Sequence, residues 1–374
     1  MDFSLNEVQA MLDDSVEKFI SNDYDFDTRQ KYAGSEQGFS PEVWQIFAEL
    51  GWTAVPFGED DGGFGGGPVE LMVMMMRFGK GLVMEPYIAN IVLAGGLLRR
   101  TADASQKKRW LLPIIAGELQ AALAFVEPQS RYDISNVTTT ATTDGDGWIL
   151  SGCKGVVSNG GNAELLIVPT RTSGDQCDEG GITLFAVAAD CDGITRKSYP
   201  TVDGQQAAEL RFDNVRIDDD ARLGETGKGY AALDATLDDA TLALCAEAVG
   251  IMQVMTDKTV EYSKNRMQFG VPIGSFQALQ HRVVDMFTDC EQSYSLLIRA
   301  AMLASESSDE TSRAISAIKY QVGTAGRKVG QEAVQIHGAM GVSWDLDIAH
   351  YFKRLTVIDQ MLGNADWHLD RLAG

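Results

Sequence analysis

Apolar positions in the first third of the chain recur at helical spacing. Over Leu5–Ile20 they fall at Leu5, Val8, Met11, Leu12, Val16 and Phe19, one face of a helix. Ser40-Pro41-Glu42 sets a capping serine before a proline at the first helical position, and the pattern that follows runs to Leu50 and stops at Gly51. Met72–Phe78, Ile88–Leu98, Ala104–Leu112 and Pro113–Gly117 continue the helical reading. Near Ala121 the period shortens. Ala122–Val126, Val137–Thr142, Trp148–Leu150, Leu165–Val168, Ile182–Val187 and Leu210–Phe212 are short, apolar or β-branched, and divided by turn residues. Asp144-Gly145-Asp146-Gly147 predicts a tight hairpin turn before Trp148. Beyond Gly224–Gly229, helical spacing returns at Leu242, Cys245, Val249 and Met252. It returns again at Ile315, Ile318, Val322, Ala325, Val329 and Ile336, as in a bundle seam.

These periods predict an α+β protein. An N-terminal α-helical domain covers residues 1–119, a central antiparallel β-barrel or sandwich covers 120–226, and a C-terminal four-helix bundle covers 227–374. Charge narrows the function classes. The 53 acidic against 31 basic residues give a formal net charge of -22, a field that repels nucleic acid and anionic lipid. No apolar run reaches the ~20 residues of a membrane span, and the N-terminus lacks the basic, apolar, small-residue order of a signal peptide, so a cytoplasmic protein is expected. Five cysteines and four histidines are scattered without ligand spacing, and no metal site is expected. The glycine-rich Asp60–Gly67 lacks the Gly-Lys-Ser/Thr ending of a phosphate loop and reads as a turn.

Four motifs stand in order along the chain. Phe125-Val126-Glu127-Pro128 is followed by Gly147-Trp148-Ile149-Leu150-Ser151-Gly152, with Lys154 two residues on. Arg266-Met267-Gln268-Phe269-Gly270 precedes Pro272, Ile273, Phe276 and Gln277. Gln335-Ile336-His337-Gly338-Ala339-Met340-Gly341 lies near the end. Together, across essentially the whole chain, they resemble the acyl-CoA dehydrogenases. The resemblance implies flavin adenine dinucleotide (FAD) as cofactor, shared across a subunit contact. It assigns the adenine half to Arg266, Gln268, Phe269, Gln277, Gln335, Gly338 and Ala339, and a flavin contact to Ser158. A guanidinium suits a diphosphate because its fork donates paired, charge-assisted hydrogen bonds.

The resemblance also marks what has changed. The reaction needs a carboxylate to take the α-proton of an acyl-CoA thioester. The two places where the family carries its glutamate correspond to Leu362, before Gly363, and Ala240, counted back from Gly250-Ile251-Met252-Gln253. Neither side chain accepts a proton. Around the flavin ring, Val126 stands for a hydroxyl residue, Val156-Val157-Ser158 for Trp-x-Thr, and Arg131-Tyr132-Asp133 for Gly-Ser-Asp. The losses fall on what a subunit uses for its own flavin and substrate, and the retained residues are those it lends to a neighbour. That pattern is similar to the small, β-type subunits of heterotetrameric acyl-CoA dehydrogenases acting on pimeloyl-CoA or steroid side-chain CoA esters. His350-Tyr351-Phe352-Lys353-Arg354-Leu355 resembles the same branch. The resemblance implies a homologous catalytic partner in an α2β2 assembly, an acyl-CoA substrate and an electron-transfer flavoprotein as acceptor. Two other readings stay open. One is a self-sufficient homo-oligomer with a relocated base, for which Asp239 is the first choice among Asp238, Asp239, Asp359 and Asp366. The other is a non-catalytic binding or scaffold subunit.

Overall fold

The structure is a computed structural model and describes residues 5–373. Helices α1 (Glu7–Asp23), α2 (Phe26–Ala33), α3 (Pro41–Glu49) and α4 (Pro68–Gly81) open the chain. A π-helical segment, Ile88–Gly95, leads into α5 (Gly96–Thr101). A second, Lys107–Leu111, joins α6 (Ala104–Gln106) to α7 (Leu112–Ile115). Local chemistry sets the boundaries. The Ser40 hydroxyl accepts from the Val43 amide at 3.2 Å, Pro41 takes the first turn where its missing N–H costs nothing, and Gly51 turns the chain at φ 74°.

The chain forms two compact units that cut across the linear division. One comprises Met1–Lys31, Gly67–Val83 and Thr241–Gly374; the other comprises Tyr32–Gly66 and Met84–Ala240.

In the second unit the strands are β1 (Ala121–Leu123), β2 (Thr140–Asp144), β3 (Gly147–Ser158), β4 (Leu165–Arg171), β5 (Ile182–Ala188), β6 (Ile194–Pro200), β7 (Gln206–Asp218) and β8 (Arg222–Leu223). They form one sheet in the order β6-β7-β3-β2-β4-β5-β8, with β1 parallel to β4. Of the expected barrel or sandwich, the closed barrel does not form. The sheet is open, β6 lying at one edge and the two-residue β8 at the other. β6 was invisible to periodicity because Ile194-Thr-Arg-Lys-Ser-Tyr-Pro200 is polar and largely exposed, as suits a strand with a single neighbour. The hairpin at Asp144–Gly147 is as expected: these two residues pair, and Gly145 supplies φ 65°. Trp148, Leu150, Leu166, Phe185, Leu210 and Phe212 centre the core.

The first unit packs α1 and α4 with α8 (Tyr230–Asn265, which crosses the unit boundary after Ala240), α9 (Gln277–Ser305), α10 (Thr311–His337), α11 (Asp347–Gln360) and α12 (Ala365–Ala373). A small hairpin, β9 (Met267–Gln268) with β10 (Val271–Pro272), joins α8 to α9. Four long helices form the expected bundle, α12 adds a fifth, and α10 packs against α9, α11 and α12. All the seam positions read from the sequence are buried. α8 is long and apolar enough to cross a membrane, yet 83% of its apolar stretch is buried inside the protein. Two glycines let α4 approach α8. A Cβ on Gly79 would lie 2.1 Å from the Glu247 carbonyl oxygen, and one on Gly250 would lie 2.0 Å from that of Met76. Arg354 on α11 grips Glu247 on α8 through a buried two-pronged ion pair at 2.5 and 2.7 Å.

Candidate active and cofactor-binding site

Arg266 follows the last residue of α8, and its amide still donates to Tyr262 at 2.8 Å. The hairpin that begins there turns through Phe269 at φ 53° and Gly270 at φ 82°, a pair of left-handed residues that closes two short strands. The turn thrusts Phe269 into solvent, 93% exposed, with only the edge of Phe276 beside it at 6.2 Å between ring centres. Gln268 and Gln277 are exposed on the same hairpin and at the start of α9. At the far end of α10, Gln335 is exposed, and its carbonyl accepts the Gly338 amide. Gly338 sits at φ 61° with open space where a Cβ would stand, and Ala339 beside it is exposed. Tyr262 and His337 bring these two regions together. Their rings stack at 4.3 Å, and the tyrosine hydroxyl donates to the His337 carbonyl at 3.4 Å. Arg266, Gln268, Phe269, Gln277, Gln335, Gly338 and Ala339 therefore sit on segments rooted at one end of the bundle. They offer an exposed guanidinium, an exposed ring, three amides and an approachable backbone. That donor set fits a dinucleotide's diphosphate and adenine.

In the β-sheet unit Ser158 is half-buried at the end of β3, paired with Ala207 of β7. The strand is irregular just before it, where Val156 takes φ 49° and is 58% exposed. A Cβ on Gly155 would meet nothing, so this ledge admits a flat group but offers hydrocarbon where hydrogen bonds would hold it. Beneath it lies a buried ion pair whose role in fixing this ledge the sequence reading left unassigned. Lys154 Nζ donates to Glu127 Oε1 and to the Pro169 carbonyl, both at 2.7 Å. Glu127 also accepts from the Thr138 and Thr139 amides, the Thr138 hydroxyl and Gln129. Burial alone would raise the Glu127 pKa, but the Lys154 charge and these donors hold it at about 2. The pair pins the loop after β1 onto β3. The signal was present: Trp148, Leu150, Gly152 and Lys154 share one face of β3, so the lysine had to point inward and find a carboxylate.

Ala240 is fully buried on α8. Leu362 lies in the turn after α11 at φ 55°, its carbonyl accepting from His368 Nε2 at 2.9 Å. Buried Lys319 fixes the same turn by donating to the Asp359 and Gly363 carbonyls, and burial lowers its pKa to about 8. Asp239 is half-buried and engaged by Arg100 at 2.7 Å, with Arg99 at 3.6 Å. This carboxylate is therefore already committed to an ion pair. Asp359 is likewise committed, to Arg327, Gln360 and the Ala365 amide; Asp238 is buried and Asp366 exposed.

Comparison with known proteins gives the family. Residues 6–118, 122–215 and 227–374 match in turn the N-terminal, middle and C-terminal domains of acyl-CoA dehydrogenases. The chain belongs to the acyl-CoA dehydrogenase family. It is 29% identical over 346 residues to the probable acyl-CoA dehydrogenase YngJ of Bacillus subtilis, covering 91% of this chain and 90% of that protein. Among solved structures it is similar to PigA with FAD and proline, with TM-score 0.93, 26% identity, and coverage of 100% of this chain and 98% of that one. It is also similar to a chain of the ChsE4-ChsE5 complex from Mycobacterium tuberculosis, with TM-score 0.90, 25% identity and the same coverage.

Proposed function

We propose that the chain is the base-less subunit of a heteromeric FAD-dependent acyl-CoA dehydrogenase. FAD is its cofactor, and when bound supplies the acceptor for the hydride leaving the β-carbon of an acyl-CoA thioester. Arg266, the exposed amides and Gly338 hold the adenine and diphosphate half, completing the site of a homologous catalytic partner in an α2β2 assembly. The partner provides the carboxylate that takes the α-proton and the hydrogen bonds around the flavin ring. An electron-transfer flavoprotein removes the electrons.

The observation that carries this reading is the segregation of kept and lost groups. Every residue that would serve a neighbour's cofactor is exposed and chemically competent. At the family's two base positions stand the side chains of Ala240 and Leu362, and the flavin ledge is lined by Val156. The similarity to a chain solved within a two-component complex supports the same assignment. Capture of Asp239 by Arg100 weighs against a relocated base, and the survival of Arg266, Gln277 and Gln335 weighs against a bare scaffold.

The test is native mass with the flavin-to-protein ratio, first for the chain alone and then co-expressed with its homologous partner. The partnered complex is expected to hold one FAD for every two chains, and the chain alone little flavin and no dehydrogenase activity. Arg266→Leu in the complex should weaken FAD binding about ten- to a hundredfold, the loss of one or two charge-assisted bonds. Full flavin content and thioester oxidation by the chain alone would overturn the proposal.

A further inference from the structure

His350 is 2% exposed on α11, yet both of its ring nitrogens face polar groups. Arg29 of α2 lies 3.4 Å from Nδ1 through Nη1, and the Trp344 carbonyl lies 3.1 Å from Nε2. A guanidinium can only donate, so Nδ1 must be the acceptor and Nε2 must carry the proton that goes to Trp344. The Gln30 Nε2, 3.4 Å from His350 Nε2, is then a contact between two donors, and the Gln30 carbonyl oxygen is taken by Arg29 at 2.6 Å. The edge-to-face rings of Phe26 at 5.1 Å and Trp344 at 4.7 Å enclose the imidazole. Lys353, one turn along α11, lies 4.0 Å over the Trp344 ring.

We propose that neutral His350 is a latch tying α2 to the segment 338–346, and that a proton on the imidazole severs the tie. Protonation turns Nδ1 from acceptor into donor, directly against the Arg29 guanidinium. The new cation would then face Arg29 and Lys353. The Asp347 carboxylate, which opposes these two cations, is already paired with Lys258 at 2.8 Å.

Burial first, then Arg29 and Lys353, keep the His350 pKa below the ordinary histidine value, against the Trp344 carbonyl and Asp347, which raise it. With the folded value depressed, the latch holds above the ordinary value and opens as pH falls through the folded one. The segment also carries Gly338 and Ala339, so acid should loosen FAD as well; that consequence rests on the cofactor assignment, whereas the latch does not.

Hydrogen exchange by mass spectrometry on the intact protein, corrected for intrinsic rates, tests it at about pH 7.5 and about pH 5. Peptides over residues 26–31 and 340–346 should exchange about tenfold faster at the lower pH in the parent protein. His350→Gln should abolish that difference, because the amide can accept from Arg29 and donate to Trp344 without titrating. Lys353→Gln keeps both imidazole bonds and removes one opposing cation, so it should move the transition to higher pH. The latch is refuted if the parent keeps its protection at pH 5, if His350→Gln loses it in parallel, or if Lys353→Gln leaves the midpoint unmoved. Loss of this pH response without loss of FAD at neutral pH would leave the cofactor assignment standing.

Discussion

Lys154→Met nearly preserves the volume of a fully buried side chain on β3 and removes its charge. Glu127 would keep its bonds from Thr138, Thr139 and Gln129 but lose the ammonium 2.7 Å from Oε1. A carboxyl held at about 2 against an ordinary 4.5 corresponds to a preference of about 3 kcal/mol for the anion in the folded chain. Removing one member of a buried pair costs about 3–5 kcal/mol, because the remaining charge has nowhere to go. Both routes lead to a loss of about 3–4 kcal/mol at neutral pH. The sign of the pH dependence follows from the depressed carboxyl. Its contribution is complete above the ordinary value of 4.5 and disappears as pH falls from there toward about 2, so parent and variant should converge in acid. Urea unfolding followed by tryptophan emission measures the difference, Trp148 reporting from the same strand. Adding Glu127→Leu to Lys154→Met should restore at least half of the loss by removing the stranded carboxylate. A single variant within about 1 kcal/mol of the parent, or a double variant worse than either single, would refute the reasoning.

Gly250→Ala should cost more than about 2 kcal/mol, since the added carbon falls 2.0 Å from the Met76 carbonyl oxygen, whereas Gly155→Ala, with open space at its Cβ, should cost less than about 1 kcal/mol. Equal denaturation midpoints for the two would contradict the close α4–α8 crossing. Asp239→Asn breaks a half-buried ion pair and should lower stability by about 1 kcal/mol or less, leaving the turnover of the two-subunit complex unchanged. A fall in kcat of about a hundredfold or more would instead make Asp239 the base and end the shared-site proposal.

Much of the fold was legible because its helices and buried strands obey simple periods. The seam from Ile315 to Ile336 and the hairpin at Asp144–Gly147 are local patterns that tertiary contacts reinforce. The open edge of the sheet was not legible. β6 is stabilised by pairing with β7 alone, and a strand with that much exposed surface carries no alternation of apolar and polar residues to read. Short candidate strands such as Trp148–Leu150 fell well short of the twelve residues of β3, because register with β7 extends a strand beyond its apolar stretch. At the proposed site, motif order singled out Arg266, Gln335 and Gly338, which share no local pattern. Two buried ion pairs, Glu127–Lys154 in the sheet unit and Glu247–Arg354 in the helical unit, join residues 27 and 107 positions apart, and only the folded chain shows that they meet.

The unclosed sheet has a consequence for how the protein survives at high concentration. A bare strand edge is a template on which a stray β-segment from another molecule can add itself and begin a fibre. β6 discourages this with consecutive cations, Arg196 and Lys197, with Pro200 supplying no amide hydrogen at its end, and with Arg196 bent back onto the Ala163 carbonyl at 2.8 Å. At the opposite margin, the two residues of β8 are too few to seed a growing ladder. The fold leaves its sheet unsealed and still gives neighbouring chains little to copy.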